Sequence, residues 1–232
     1  MTVLAASRSP KRRLVRRILL VVAAVLAIPY VLVPLYAVGT PVSTLMMWRW
    51  VTGQPVTRIW VPLADMAPAL PRSVLAAEDA RFCGHTGIDW TEIQNALEDA
   101  EDGGRLRGGS TITQQTVKNL FLWHGRSWVR KALEMPLAVW ADLILPKRRI
   151  MELYLNVAEW GPNGVFGAEA GARRAFGRGA AGLSERQAAI LAAVLPNPVR
   201  RDAAKPGPGV RRLAGIYQRR ARTSGPIDAC LR

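Results

Sequence analysis

The feature that most restricts how this chain folds is an uncharged apolar run, Ile18 to Val38, placed directly after a cluster of six basic residues. Those residues are Arg8, Lys11, Arg12, Arg13, Arg16 and Arg17, and no acid stands among them. As a helix, 21 residues rising ~1.5 Å each span about 30 Å, the thickness of a bilayer's hydrocarbon core. A cleavable signal peptide is the nearest rival, but its apolar region is shorter, ~7–15 residues, and ends in a small-x-small cleavage site. Here Pro29 and Pro34 interrupt the run without a clear cleavage site, and spanning helices tolerate proline. The run therefore reads as a single uncleaved transmembrane helix over 18–38. The basic flank, 1–17, places the N-terminus in the cytoplasm. The remainder then lies outside: in a bacterium, the periplasm or outer membrane face.

The net charge is +15, and setting aside the six N-terminal charges leaves +9 on the exported part. That excess points to an anionic partner, such as a phosphorylated substrate, anionic lipid or nucleic acid. Half of the 232 residues are apolar and 21% are charged, which excludes a disordered solvating chain. Two cysteines, Cys83 and Cys230, exclude the disulfide framework of a small secreted domain and leave open whether they pair.

The exported part reads as mostly helical. Residues 39–70 hold Pro41, Pro55, Pro62 and Pro68 and predict a linker and membrane-proximal segment, with at most one short strand near Val56–Val61. Helices are predicted from Pro71 to about Phe82, from Asp89 to about Ala100, from about Thr111, from Ser127 to Leu145, and from Lys147 to Val157. Trp160–Gly167 predicts a glycine-punctuated loop, followed by a short helix ending at Gly177. Thr111 with Gln114, and Ser184 with Gln187, have capping-box spacing. The second box opens a helix that stops at Pro196–Pro198. Residues 199–232 carry nine basic residues and two acids and predict a basic tail, either a solvated flexible end or a headgroup-attracting segment.

Two acids fall on apolar helix faces. Glu78 has Val74, Leu75 and Phe82 at helical spacing, which predicts a desolvated carboxylate with a raised pKa. The plainer alternative is a surface pair with Arg81. Glu134 has Leu137, Ala138 and Ala141 on its face, and the plainer alternative there is an ion pair with Arg130. Together the two acids suggest carbohydrate chemistry, because glycosyl transfer needs an acid or base and a second charge near the anomeric centre. Between them lies GGSTITQQTVKN, Gly108 to Asn119. Ser110, Thr111, Thr113, Gln114 and Lys118 at a helix start, with Arg126 and Arg130 downstream, form a candidate diphosphate site.

Five segments then carry a resemblance. EDARFCGHTGID (Glu78–Asp89), GGSTITQQTVKNLFL (Gly108–Leu122), RKALE (Arg130–Glu134), RRIMELYLNVAEWGPNGVFGAEAGARRAFG (Arg148–Gly177) and LSERQAAILAAVLPNP (Leu183–Pro198) occur in order. The sequence resembles the monofunctional biosynthetic peptidoglycan glycosyltransferases, glycosyltransferase family 51. The monofunctional type is expected because little chain follows residue 198. Cys83 stands where an aromatic is common, Gly171 for a usual alanine and Ala175 for a usual tyrosine.

The resemblance implies a mostly α fold with a lysozyme-like catalytic domain over 71–198 and a small membrane-proximal lobe. It implies polymerisation of lipid II onto a growing glycan chain, with release of undecaprenyl diphosphate, at the bacterial inner membrane. It makes Glu78 the general base toward the acceptor hydroxyl. It makes Glu134 the second glutamate, on the diphosphate side, acting through a divalent cation (Mg2+ or Mn2+). It assigns Ser110, Gln114, Gln115, Lys118, Arg126 and Arg130 to the donor and its diphosphate. Membrane lipids and other cell-wall synthesis proteins are the further partners it implies. Physical reasoning agrees, because a basic tethered domain concentrates near an anionic, membrane-held substrate. A lysozyme-type hydrolase would not need the Lys118–Arg126–Arg130 cluster. A nucleic-acid-binding module would stand on the wrong side of the membrane, so no nucleic-acid partner is expected.

Overall fold

A computed structural model describes residues 10–101, 109–125 and 127–232. Helix α1 runs Pro10–Leu35, is apolar enough to cross a membrane from Lys11 to Leu35, and is mostly exposed. It starts earlier than the apolar run, because Lys and Arg are good helix formers. The residues from 10 to 17 are therefore the first turns of the helix and not a separate tail. At its other end it docks. Val33 is buried, Tyr36 stacks on Phe121 at 5.4 Å between ring centroids, and Trp140 Nε1 donates to Tyr30 O.

The segment 39–70 is more ordered than its prolines predict. Ser43 caps a helix, α2 (Thr44–Val51), by accepting from Met46 N. A two-residue strand, β1 (Thr57–Arg58), lies inside the predicted strand region. It pairs parallel with β3 (Val165–Phe166), which pairs antiparallel with β2 (Glu159–Gly161). The predicted loop at 160–167 is thus a hairpin. Its turn holds Asn163 and Gly164 at positive φ, the conformation a tight hairpin turn requires.

The helical body is built from α3 (Ala69–Glu78), α4 (Trp90–Glu101), α5 (Ile112–Phe121), α6 (Trp128–Ile144), α7 (Lys147–Val157), α8 (Ala168–Phe176) and α9 (Glu185–Val194). Both predicted capping boxes form, at Thr111–Gln114 and Ser184–Gln187, and Ser127 caps α6. Ala188 to Val194 of α9 are all buried, as expected of a helix that is apolar on every side. Around it pack α3 and a further helix, α10 (Pro208–Thr223).

Helix α10 overturns the reading of 199–232 as a solvated tail. Val210, Ala214 and Ala221 are buried against the core, while the basic residues lie mainly outside. Arg72 of α3 donates to Ala221 O and pairs with Asp228, and Arg222 donates to Glu185 of α9. Cys83 and Cys230 form a disulfide with 5.5 Å between Cα atoms, tying the chain end to the segment after α3.

Candidate active site

Helix α3 ends at Glu78, one turn earlier than the sequence pattern predicts. The cause is Asp79, which leaves the helix with φ −162°. Its buried carboxylate accepts from Ile112 N (2.9 Å) and meets His85 Nε2 (3.0 Å). This fastens the first residue of α5 to the last turn of α3. Gln115, one turn into α5, then donates its Nε2 to Glu78 Oε2 at 2.9 Å. The buried Tyr154 hydroxyl donates to Gln115 Oε1 at 3.2 Å, which turns the amide nitrogen toward the glutamate.

Glu78 is therefore a half-buried acid at a helix end, and it does not pair with Arg81, which meets Asp89 at 3.4 Å. Burial is the main influence and raises its pKa. The Gln115 bond and the charges of Lys118 and Arg201 work against that rise, and the neighbouring Asp79 adds to it. Lys118 is also held away from water, and burial lowers its pKa. It feels Glu134, Arg130, Glu78 and Lys131, so it stands electrostatically between the two glutamates.

Glu134 is buried and takes two cations. Arg130 binds one carboxylate oxygen and Lys131 Nζ the other at 2.7 Å. Lys131 Nζ also reaches Ser110 Oγ at 3.2 Å. The expected Glu134–Arg130 pair thus forms, inside a chain running from Arg130 through Glu134 and Lys131 to Ser110. Sequence reasoning missed Lys131; its signal was position i−3 to Glu134.

Two cavities flank Glu78. One, of about 260 Å³, is lined by Glu78, Asp79, Arg81, Ser110, Thr111 and Arg220 among others. The other, of about 230 Å³, is lined by Gln115, Lys118, His124, Tyr154 and Glu159 among others. Of the sequence-predicted residues, Glu78, Ser110, Gln115 and Lys118 line these cavities, and Arg130 and Glu134 adjoin them through Lys118 and Ser110. Gln114 does not reach them. It is fully buried, and its Oε1 accepts from Thr111 N in the capping box. Arg126 lies outside the described residues.

The divalent cation that the resemblance implies does not fit this donor set. Both Glu134 oxygens already face cations, and the described residues contain no group of three His, Cys, Asp or Glu side chains able to hold a metal ion.

The arrangement is a desolvated carboxylate beside a cation cluster, in a cleft between helices. The Transglycosylase family model matches residues 45–221. A biosynthetic peptidoglycan transglycosylase of Nitrobacter hamburgensis is 62% identical over 221 residues, covering 95% of this chain and 97% of that protein. One from Rhodopseudomonas palustris strain HaA2 is 62% identical over 222 residues, covering 95% and 97%. One from Agrobacterium fabrum is 53% identical over 222 residues, covering 95% and 98%. With a model match across most of its length and relatives this similar from end to end, the chain belongs to the transglycosylase family.

Proposed function

We propose that this protein polymerises lipid II into glycan strands at the outer face of the bacterial inner membrane, releasing undecaprenyl diphosphate, with Glu78 as the general base. The observation that carries the reading is the setting of Glu78. A carboxylate raised by burial, and aimed by a Gln115–Tyr154 pair, is a stronger base near neutral pH than an ordinary glutamate. It takes the proton of the acceptor hydroxyl as the oxygen attacks the anomeric carbon of the donor. The bond from that carbon to the diphosphate oxygen breaks, and the electron pair leaves with the diphosphate. One displacement inverts the centre, so no covalent enzyme intermediate is required.

The negative charge that develops on the leaving diphosphate needs cations that are already in place. Lys118 and Arg130 supply them, with Arg126 as the expected third. Glu134 acts by holding Arg130 and Lys131 in place, since both of its oxygens are engaged. Lys131 in turn orients Ser110.

The membrane setting rests on α1 and on exposed apolar side chains of the body. Met47, Trp48, Trp50, Trp128, Leu143 and Ile144, on α2 and α6, are exposed. α1 packs on α6. Exposed tryptophans suit the headgroup level of a bilayer. We take the helix as a single-pass anchor with its basic end in the cytoplasm. Other cell-wall synthesis proteins are expected partners on family grounds.

A hydrolase with a similar acid is the rival, and product analysis separates the two. Labelled lipid II is expected to yield polymer and undecaprenyl diphosphate, while preformed glycan stays intact. Cleavage of preformed glycan with no polymer from lipid II would overturn the reading.

A further inference from the structure

Helix α10 has an apolar inner face and an outer face made almost wholly of guanidinium groups. Val210, Ala214 and Ala221 are buried, and Tyr217 is half-buried with them. On the opposite side, at helical spacing, stand Arg211, Arg212, Arg219 and Arg222, all exposed. The helix contains no acid. Arg222 pairs with Glu185, and Arg211 donates to Pro206 O. Among the described residues, Arg212 and Arg219 make neither a side-chain hydrogen bond nor an ion pair. The same charge continues past the start of the helix. A cavity of about 550 Å³ there is lined by Arg200, Arg201, Lys205 and Arg212. Its one acid, Asp202, is already held by both terminal nitrogens of Arg174.

Like charges gathered on one face repel and weaken the fold, so a basic face without acids calls for an anion from outside the chain. Arg212 and Arg219 stand seven residues, about 10 Å, apart along the helix axis. That is too far for one small ion and suits a polymer carrying several anions. A protein interface centres on buried aromatic or apolar anchors, and a helix lying in a membrane surface inserts an apolar face. The apolar face of α10 already covers the core, and among its described residues no large apolar side chain is exposed. The exposed tryptophans of α2 and α6 belong to other elements, since α10 packs on α9 and α3. The helix is also fixed, by Arg72 to Ala221 O and by Arg222 to Glu185, and a fixed element suits the holding of a ligand.

We propose that the outer face of α10, continued by Arg200 and Lys205, is a docking surface for assembled peptidoglycan, separate from the catalytic cleft. It takes the carboxylates of the stem peptides, which repeat along each glycan strand and which guanidinium recognises by paired N–H donation. This rests on the function and the membrane topology proposed above. Such a surface holds the enzyme against the existing wall while the cleft works on lipid-linked precursor at the membrane.

The test mixes the full-length protein in detergent with isolated, protein-free peptidoglycan sacculi and reads the fraction that sediments. It compares wild type, Arg212→Glu with Arg219→Glu, and a charge-matched control on exposed residues outside α10, Arg178→Glu with Arg186→Glu. Glutamate is about as good a helix former as arginine, so α10 stays folded, as a melting curve will verify. The α10 pair should raise the apparent Kd for sacculi roughly tenfold, while the control pair stays near wild type. Amidating the sacculus carboxylates should bring wild type down to the level of the α10 pair. Turnover of lipid II in detergent, without preformed glycan, should be the same for all three proteins. Equal sedimentation of wild type and the α10 pair, or wild-type binding that survives amidation, overturns the surface. So does a charge-reversal effect seen only as slower turnover in phosphatidylglycerol vesicles, with sacculus binding unchanged, which assigns the face to the membrane. A wild-type chain that sediments through α10 yet does not turn over lipid II upholds the surface and overturns the function alone.

Discussion

In the proposed reaction, Glu78 and Lys118 are shifted in opposite directions by the same cause. Burial raises the carboxylate and lowers the ammonium, because each loses water that favoured its charged form. The base must be ionised and the lysine protonated, so kcat/KM should be bell-shaped in pH. Activity is gained as pH rises through the raised pKa of Glu78, above the ordinary carboxylate range. It is lost as pH rises through the lowered pKa of Lys118, below the ordinary lysine range. Lys118→Ala removes a charge that favours the carboxylate, so the acid limb of the residual activity should move to higher pH. An acid limb at the ordinary glutamate value in wild type would contradict this account. The apolar neighbours Val74 and Leu75 made a shifted Glu78 legible in the sequence. The partners that aim it were not legible, because Gln115 and Tyr154 are 39 residues apart and meet only through packing. Gln114 shows the converse: its polarity suggested a ligand contact, yet the capping box takes it inside.

The site depends on how α3, α5 and α6 are fixed to one another. Asp79 fastens α3 to α5, and Thr111 Oγ1 donates to Gly87 O at 2.6 Å, which brings the loop after α3 onto the same helix start. Gly87 has φ +84°, and a Cβ there would lie 2.5 Å from Ala138 O on α6. Gly87→Ala should therefore cost more than the ~1 kcal/mol of a left-handed alanine, by roughly 1–3 kcal/mol further for the clash, read as a lowered Tm. An unchanged Tm would mean that the loop is not pressed against α6. Capping boxes were legible because they are local. Helix α10 was not read from the sequence, although Val210, Leu213, Ala214, Tyr217 and Ala221 keep helical spacing. Five arginines interleave with them, and that charge hid an apolar stripe whose burial depends on α3 and α9. The end of α3 was also misplaced, since its stop comes from a carboxylate drawn to a helix start 33 residues away.

Across the whole molecule, a spanning helix, a helical body and a stapled C-terminus form one chain suited to work at a bilayer. The Cys83–Cys230 bridge closes a loop of 147 residues. Its removal, as Cys83→Ser with Cys230→Ser, should cost about 2–4 kcal/mol and release the chain end, seen as lowered Tm and faster proteolysis near residue 230. Equal stability with and without the bridge would make it incidental. The docked end of α1 indicates where an anchor deletion should stop. Tyr30, Val33 and Tyr36 contact the body, so removing residues 1–28 should leave it folded. Such a chain should polymerise lipid II in detergent yet be much slower on vesicles, and its vesicle activity should fall as salt screens the remaining basic surface. Equal vesicle activity at all salt concentrations would reduce the anchor to localisation alone. The most direct measurement of the central claim is the release of undecaprenyl diphosphate from lipid II in vesicles by the wild-type protein and by folded Glu78→Gln. The account predicts release coupled to glycan growth in wild type and a fall of roughly 10²–10⁴-fold in Glu78→Gln, the contribution expected of a general base. Comparable release by the two proteins would contradict it.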